Sequence, residues 1–313
     1  MQLLYRMAIK MNLTVNEIHK SFGEKQVLKG ISFSAESGKA LGILGRNGAG
    51  KTTLIRIIMQ VFGADSGTVL LDGKEIDTEK IHIGYLPEER GLYPKQKIMT
   101  QLLYFAELKG IDKKSARLTA EKYFKELQIE QYKNVRLDTL SKGNQQKIQL
   151  IAALISDPDI VILDEPFSGL DPVNAGMLKN IVKELISEGK MVLFSSHQMN
   201  YIEEFCDDII ILNGGKAVLS GSIKQIKRSF ARNVFEITAQ NSETALSVIL
   251  NASLPYVDKA EIIDGKLTVT LKSEENKPEL IKFAAENIPD IDGICVKEPT
   301  LADIFIHYTE GNV

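Results

Sequence analysis

Short apolar runs closed by glycine-rich or polar turns alternate with stretches of helical spacing through most of the chain. Residues 40–44, 160–164 and 191–195 are nearly continuous apolar runs, the pattern of strands covered on both faces. Between them the apolar positions fall three and four apart, which predicts helices over 54–59, 148–155 and 174–187. Ahead of the first run, residues 13–18 and 27–33 read as strands, the former ending in a tight loop at Ser21-Phe22-Gly23 and the latter leading through Ser37-Gly38-Lys39. Residues 68–71 form a short strand with a hairpin signal at Asp72-Gly73, and 83–86 another, broken by Pro87. A helical insert interrupts the α/β alternation over about 89–157. Within it, Leu102, Leu103, Phe105, Ala106, Leu118, Tyr123, Phe124 and Leu127 mark the expected buried faces.

The rhythm resumes with a hairpin around Asn213-Gly214-Gly215 and a closing helix over 223–230, and then changes. Residues 234–239, 244–250, 259–263, 266–271, 278–287 and 291–297 read as β, α, β, β, α, β, with Asp264-Gly265 as the hairpin turn and 301–308 as a last helix. That order is ferredoxin-like. The division expected from the pattern is therefore residues 11–230 for an α/β domain and 231–313 for a smaller α+β accessory domain. No internal repeat or low-complexity linker interrupts it.

Composition narrows the class. With 44% hydrophobic and 25% charged residues, the chain of 313 residues is globular in type and long enough for about two domains. The net charge of −3 gives no basic footprint, so no nucleic acid partner is expected. No apolar stretch approaches the ~20 residues that cross a bilayer. The two cysteines, Cys206 and Cys295, match neither a disulfide framework nor a metal knuckle, which suits a reducing cytoplasm. Residues 1–10 lack the features of a secretory signal, and the expectation is either that Met11 is the true start or that the first ten residues form a loose extension.

The chemistry centres on Gly45-Arg46-Asn47-Gly48-Ala49-Gly50-Lys51-Thr52-Thr53, placed between an apolar strand and a helix. Three glycines let backbone N–H groups converge on an anion, and the new helix adds the positive end of its dipole. Lys51 is the cation that reaches terminal phosphates, and the Thr52 hydroxyl is a Mg²⁺ ligand. Downstream, the 160–164 strand delivers the adjacent carboxylates of Asp164 and Glu165 to the end of the sheet where ligands sit. One can hold Mg²⁺ and the next can polarise an attacking water. Ser141 stands where a helix N-cap belongs, and an aromatic ring at Phe22 can stack on a base. His197 follows the 191–195 strand; of the four histidines it alone has motif partners.

Together these motifs resemble the nucleotide-binding subunit of an ABC-type transporter over about residues 12–230. Gly45 to Thr52 matches the Walker A loop, 160–165 the Walker B strand, and Ser168-Gly169-Leu170-Asp171 the D-loop. Leu140 to Gln145 matches the LSGGQ signature, and His197 the switch histidine. The resemblance implies a P-loop NTPase core with an antiparallel β layer, ATP and Mg²⁺ as cofactors, and Glu165 and His197 as catalytic residues. It implies Phe22 as the adenine-stacking aromatic, and Ser141, Gly143 and Gln145 as contacts to ATP held by an opposite subunit. Two departures from the pattern matter. The signature reads Ser-Lys-Gly-Asn-Gln, and Glu88 replaces the usual Q-loop glutamine, with Thr52 and Asp164 as its companion metal ligands. A similar Pro-Glu-Glu-Arg-Gly-Leu-Tyr stretch with an appended C-terminal domain marks subgroups resembling sodium and drug exporter ATPases.

The implied partners are a transmembrane permease and a second ATPase copy, and the implied location is the inner face of the cell membrane through the permease. A soluble ABC-type ATPase is the alternative, although relatives of that kind usually carry tandem cassettes or coiled-coil or zinc inserts. A GTPase reading lacks a guanine-reading motif in the P-loop domain, its nearest match being Asn276-Lys277-Pro278-Glu279. A dehydrogenase reading fails because Thr53 stands where the third glycine of GxGxxG belongs.

Overall fold

The computed structural model describes residues 10–89, 91–230 and 232–310. The expected N-terminal extension lies almost wholly outside them. The chain separates into two compact units, residues 1–223 with 305–313, and residues 224–304.

The larger unit holds two sheets. Strands β1 (Asn12–Phe22) and β2 (Lys25–Glu36) pair antiparallel, and β4 (Ser66–Leu71) with β5 (Lys74–Glu75) extends them in the order β2-β1-β4-β5. The first strand runs on through Ser21 and Phe22, so the turn begins at Gly23, two residues later than the sequence suggests. Its ladder is irregular at Glu17, which has φ 47°, and a Cβ on Gly67 would come within 2.3 Å of the Glu17 carbonyl oxygen. Only glycine permits that approach.

The second sheet has the order β10-β9-β3-β8-β7-β6, built from β3 (Ala40–Gly45), β6 (Ile83–Leu86), β7 (Ile160–Asp164), β8 (Met191–Ser195), β9 (Asp208–Asn213) and β10 (Lys216–Ser222). All run parallel except β10. Every residue of β3, β7 and β8 is buried, which accounts for their unbroken apolar sequences. Helix α1 (Lys51–Ile58) joins the two sheets into one core, where Leu54, Ile55 and Ile58 meet Leu13, Ile31, Ile43 and Ile162.

The helical insert comprises α2 (Ile98–Leu108), α3 (Lys113–Glu126) and α4 (Lys142–Leu154). The long helical stretch expected from the spacing is thus two helices. Asp112 opens the second, its carboxylate accepting from the N–H groups of Lys114 and Ser115. Leu118 is 62% exposed, against expectation, because the buried stripe of α3 runs through Ala116, Ala120, Tyr123 and Phe124 and leaves it on the other side. Helices α5 (Pro172–Ser187), α6 (Met199–Phe205) and α7 (Ile223–Ser229) follow.

The smaller unit is a four-stranded antiparallel sheet in the order β12-β13-β11-β14, from β11 (Val234–Ala239), β12 (Val257–Ile263), β13 (Lys266–Leu271) and β14 (Ile291–Val296). Helices α8 (Ser242–Ala252) and α9 (Lys277–Asn287) bury Ala245, Ile249, Leu280 and Ala284 against Phe235, Ile237, Leu267 and Val269. This is the ferredoxin-like arrangement that the β-α-β-β-α-β order predicts. Helix α10 (Leu301–Glu310) ends the described chain, and its residues from Phe305 onward belong with the larger unit.

Candidate functional site

The phosphate loop is shaped by its glycines. A Cβ on Gly45 would lie 2.8 Å from the Leu212 carbonyl oxygen and 2.9 Å from the Ala49 side chain. Gly50, the residue before α1, has φ 107° and would place a Cβ 2.6 Å from Leu28. The loop is therefore packed closely on one side, while Arg46, Asn47 and Gly48 face solvent on the other. The first-turn N–H groups of α1 have no acceptor inside the helix and are free to bind an anion. Lys51 folds over the loop, its Nζ donating to the Gly45 carbonyl at 2.6 Å.

A cavity of about 740 Å³ opens over this loop at the C-terminal ends of β3, β7 and β8. It is lined by Gly45 to Gly48, Gly50 to Thr53, Glu88, Asp164, Glu165 and His197, so the structure brings most of the sequence-predicted residues to one place. Its size suits a nucleotide.

Within it the two carboxylates differ. Asp164 ends β7, and burial pushes its carboxyl above the ordinary aspartate range. The Tyr85 hydroxyl donates to its Oδ2 at 3.4 Å. That phenol is itself pushed up to about 12, first by burial and then by the Asp164 charge. Glu165 sits just past the strand in a left-handed conformation, φ 49°, uncommon for a residue with a Cβ and found most often at functional sites. Its Oε2 accepts from the Ser196 hydroxyl at 3.1 Å, and its Oε1 from the His197 backbone N–H at 2.8 Å. The His197 ring places Nδ1 2.8 Å from the same oxygen, while the side chain remains 68% exposed. A buried carboxylate is thus fixed on both oxygens at the rim of the pocket.

The signature residues lie elsewhere. Ser141 caps α4, its Oγ accepting from the Asn144 N–H at 3.4 Å, and it is exposed. Gly143 has room around it, an added Cβ meeting only Asn174 and Leu170 at 3.5 and 3.7 Å. Neither lines the cavity. Gln145 is buried, and its amide donates to the Leu137 and Leu140 carbonyls at 3.2 and 2.9 Å, so its nitrogen holds the signature loop in place. Phe22 is not among the lining residues either; its ring stands edge-on to Phe62 with centroids 5.7 Å apart. Tyr85, Lys25, Val27 and Met199 approach or line the site without any sequence motif to announce them. Tyr85 reaches Asp164 because β6 pairs with β7, the strand that carries that aspartate.

Comparison with known proteins decides the family. Residues 28–168 match the ABC transporter family model. Over 295 residues the chain is 39% identical to the uncharacterized ABC transporter ATP-binding protein YhaQ of Bacillus subtilis (strain 168), covering 94% of this chain and 97% of that one. The chain belongs to the ABC transporter ATP-binding proteins. As one of them it is an ATPase, and its P-loop core has the family's fold. A solved structure of an ATP-binding subunit of an ABC transporter superposes with a TM-score of 0.65 at 27% identity, covering 70% of this chain and 92% of that chain. Residues 221–309 match a second model, that of the C-terminal domain of DrrA1-3-like ATP-binding proteins. This ABC protein is also 28% identical over 305 residues to the Nod factor export ATP-binding protein I of Rhizobium sp. (strain N33), covering 96% of this chain and 97% of the relative.

Proposed function

We propose that the chain is the ATP-hydrolysing subunit of an ABC exporter, pairing with a second ATPase copy around ATP and driving a separate permease. One observation carries the catalytic reading: Glu165 is buried, held on both carboxylate oxygens, and shares a pocket with the phosphate loop and His197. A carboxylate so fixed is suited to accept the proton of a water attacking the γ-phosphate. His197 orients it and presents its exposed ring edge to the same phosphate. Lys51 and the N–H groups at the start of α1 bind the β- and γ-phosphates.

The residues present fit Mg²⁺. Among the described residues no three His, Cys, Asp or Glu side chains form a metal cage. A Mg²⁺ that arrives with phosphates needs only one or two carboxylates. Thr52, Asp164 and Glu88, all hard oxygen donors lining one pocket, supply that set. When bound, the ion neutralises phosphate charge; the protein's part is to hold Asp164 in place through Tyr85.

A larger cavity of about 840 Å³ supports the membrane reading. Val61, Ile83, Tyr85, Leu92, Phe105 and Leu108 line it beside β6 and α2, with Val61 and Leu108 more than half exposed. An apolar groove of this kind suits a short amphipathic helix from the cytoplasmic side of a permease. Among the described residues no helix is long and apolar enough to cross a membrane; attachment through that partner is part of the proposal. The Nod factor export for which the Rhizobium relative is named favours export. The C-terminal residues 231–313 are proposed as an accessory domain to this ATPase.

Affinity capture of the tagged chain from detergent-solubilised membranes of its own host tests the reading. The expected result is a complex with a multi-spanning protein whose ATP hydrolysis disappears in Lys51→Ala while the partner is retained. Loss of one charge-assisted phosphate contact costs about 1.5–3 kcal/mol, enough to weaken ATP binding about ten- to hundredfold. Recovery of the fully active chain only in the soluble fraction would favour the ABC-type ATPase uncoupled from transport.

A further inference from the structure

The segment Ser195-Ser196-His197, at the end of β8, holds Glu165 by three groups. The Ser196 hydroxyl and the His197 N–H take its two carboxylate oxygens. The Ser195 carbonyl accepts from the Glu165 backbone N–H at 2.8 Å. The Ser195 hydroxyl is left over. The residue is fully buried, 0% exposed, and its Oγ makes no hydrogen bond of normal geometry among the described residues. An unmet buried hydroxyl lowers stability, so a serine that follows the apolar Met191 to Phe194 in one buried strand calls for a use. Register shows which way it points. Ser195 stands opposite Asp164 in the parallel ladder of β7 and β8, and paired residues of neighbouring strands direct their side chains to the same face. Burial pushes the Asp164 carboxyl up, and the Ser195 hydroxyl is the first of the groups that pull it back, as a donor beside a carboxylate does. Asp164 lines the nucleotide pocket and Ser195 does not, so the hydroxyl can act on a bound cation only through that carboxylate.

We propose that Ser195 is a positioning residue for the metal site, its Oγ–H donating to the Asp164 carboxylate when Mg-ATP is bound and fixing that carboxylate as a ligand. Strand β7 lies between β8 and β6, and from β6 the Tyr85 hydroxyl reaches Asp164 Oδ2 at 3.4 Å. The carboxylate is thus braced from both flanking strands. The inference rests on the assignment of Asp164 to Mg²⁺, and it gives a use to a buried donor that no nucleotide motif requires.

The test reads metal binding apart from turnover. Protein and a non-hydrolysable ATP analogue are mixed at equal concentration, above the dissociation constant of the analogue. The mixture is titrated with Mn²⁺, a paramagnetic probe of the Mg²⁺ site, while the EPR signal of the free ion is followed. Ser195→Ala is expected to weaken Mn²⁺ binding about tenfold, the loss that follows removal of a group supporting a metal ligand, with analogue affinity in EDTA unchanged. Ser195→Thr and Ser195→Val fill the same volume and differ only at the hydroxyl, so any strain from the added carbon is common to both. The threonine variant is expected to bind Mn²⁺ about tenfold more tightly than the valine variant. Equal Mn²⁺ affinity in the parent and Ser195→Ala overturns the proposal. So does an equal loss of analogue affinity with and without metal, which a packing role alone would give. Asp164→Asn in the same titration separates the two levels. If it binds Mn²⁺ as the parent does, the assignment of Asp164 to the metal falls, and the role of Ser195 with it. If it loses Mn²⁺ while Ser195→Ala does not, only the role of Ser195 falls.

Discussion

His197 Nδ1 and Glu165 Oε1 lie 2.8 Å apart, and the His197 backbone N–H donates to that same oxygen at 2.8 Å. The carboxylate is anchored by the chain that follows the neighbouring strand, and so cannot swing away without disturbing β8. Glu165→Gln keeps an acceptor for that N–H and a partner for Ser196, but loses the proton acceptor. ATP hydrolysis is expected to fall about 10²–10⁴-fold while ATP binding persists. Phosphate-release kinetics beside calorimetry check both halves; normal turnover would remove Glu165 from its role as base.

The parts of this arrangement that depend on local chemistry were legible in the sequence. Gly45, Gly48 and Gly50 announce a loop because backbone geometry demands them, and the unbroken apolar residues of β3 and β7 announce a sheet covered on both faces. Ser141 was readable as a cap because capping involves neighbours three residues away. What could not be read depends on contacts between distant segments. Leu118 looked buried because its spacing suited a single long helix, and only the break before Asp112 sets the register that exposes it. Phe22 fits a motif position, but the direction of its ring is set by Phe62 and Lys20. The hydroxyl of Tyr85 and the ring of Phe305 reach the pocket through sheet register and helix placement, which leave no pattern in a single sequence.

Gly84 measures how tightly the signature helix is seated. A Cβ there would stand 2.4 Å from the Ala153 carbonyl oxygen of α4 and 2.7 Å from Pro158. Neither neighbour is the end of a flexible side chain, so β6 and α4 must separate to admit a methyl group. Gly84→Ala is expected to lower the unfolding free energy by about 1–3 kcal/mol, read from the urea midpoint at unchanged slope. An unaffected midpoint would mean that the two elements are less closely packed than these distances imply.

The two cysteines are expected to differ sharply in reactivity. Cys206 is buried, and burial, helped by the charges of Asp207 and Asp208, pushes its thiol far above the usual range; Cys295 is exposed. Since only the thiolate reacts, a raised pKa leaves less of it at any pH. In the folded protein a maleimide should modify one thiol rapidly, and raising the pH to about 9 should not bring in the second. Mass spectrometry of the native and the urea-unfolded chain counts them, with Cys206 labelled only after unfolding. Rapid native labelling at Cys206 would show that the packing around its thiol opens.

The last prediction concerns the second copy. Ser141 and Gly143 sit at the start of α4, where a serine hydroxyl and unpaired helix N–H groups form an anion site, yet neither lines the pocket that holds Glu165. If these groups bind the γ-phosphate, they bind one held by another chain, and the two chains close around ATP as long as it is intact. Glu165→Gln prolongs that state by sparing the nucleotide. In light scattering, this variant is expected to double in mass on addition of Mg-ATP and to return to monomer when ATP is removed. Adding Ser141→Arg to the same chain places a bulky side chain at the exposed cap and should abolish the ATP-driven dimer while leaving ATP affinity of the single chain unchanged, because Ser141 does not line that chain's own pocket. Monomeric behaviour of Glu165→Gln at saturating ATP would count against the self-paired assembly and point to a different ATPase subunit or to the permease as the element that brings two sites together. Dimerisation that survives Ser141→Arg would instead mean that the chains meet through another surface.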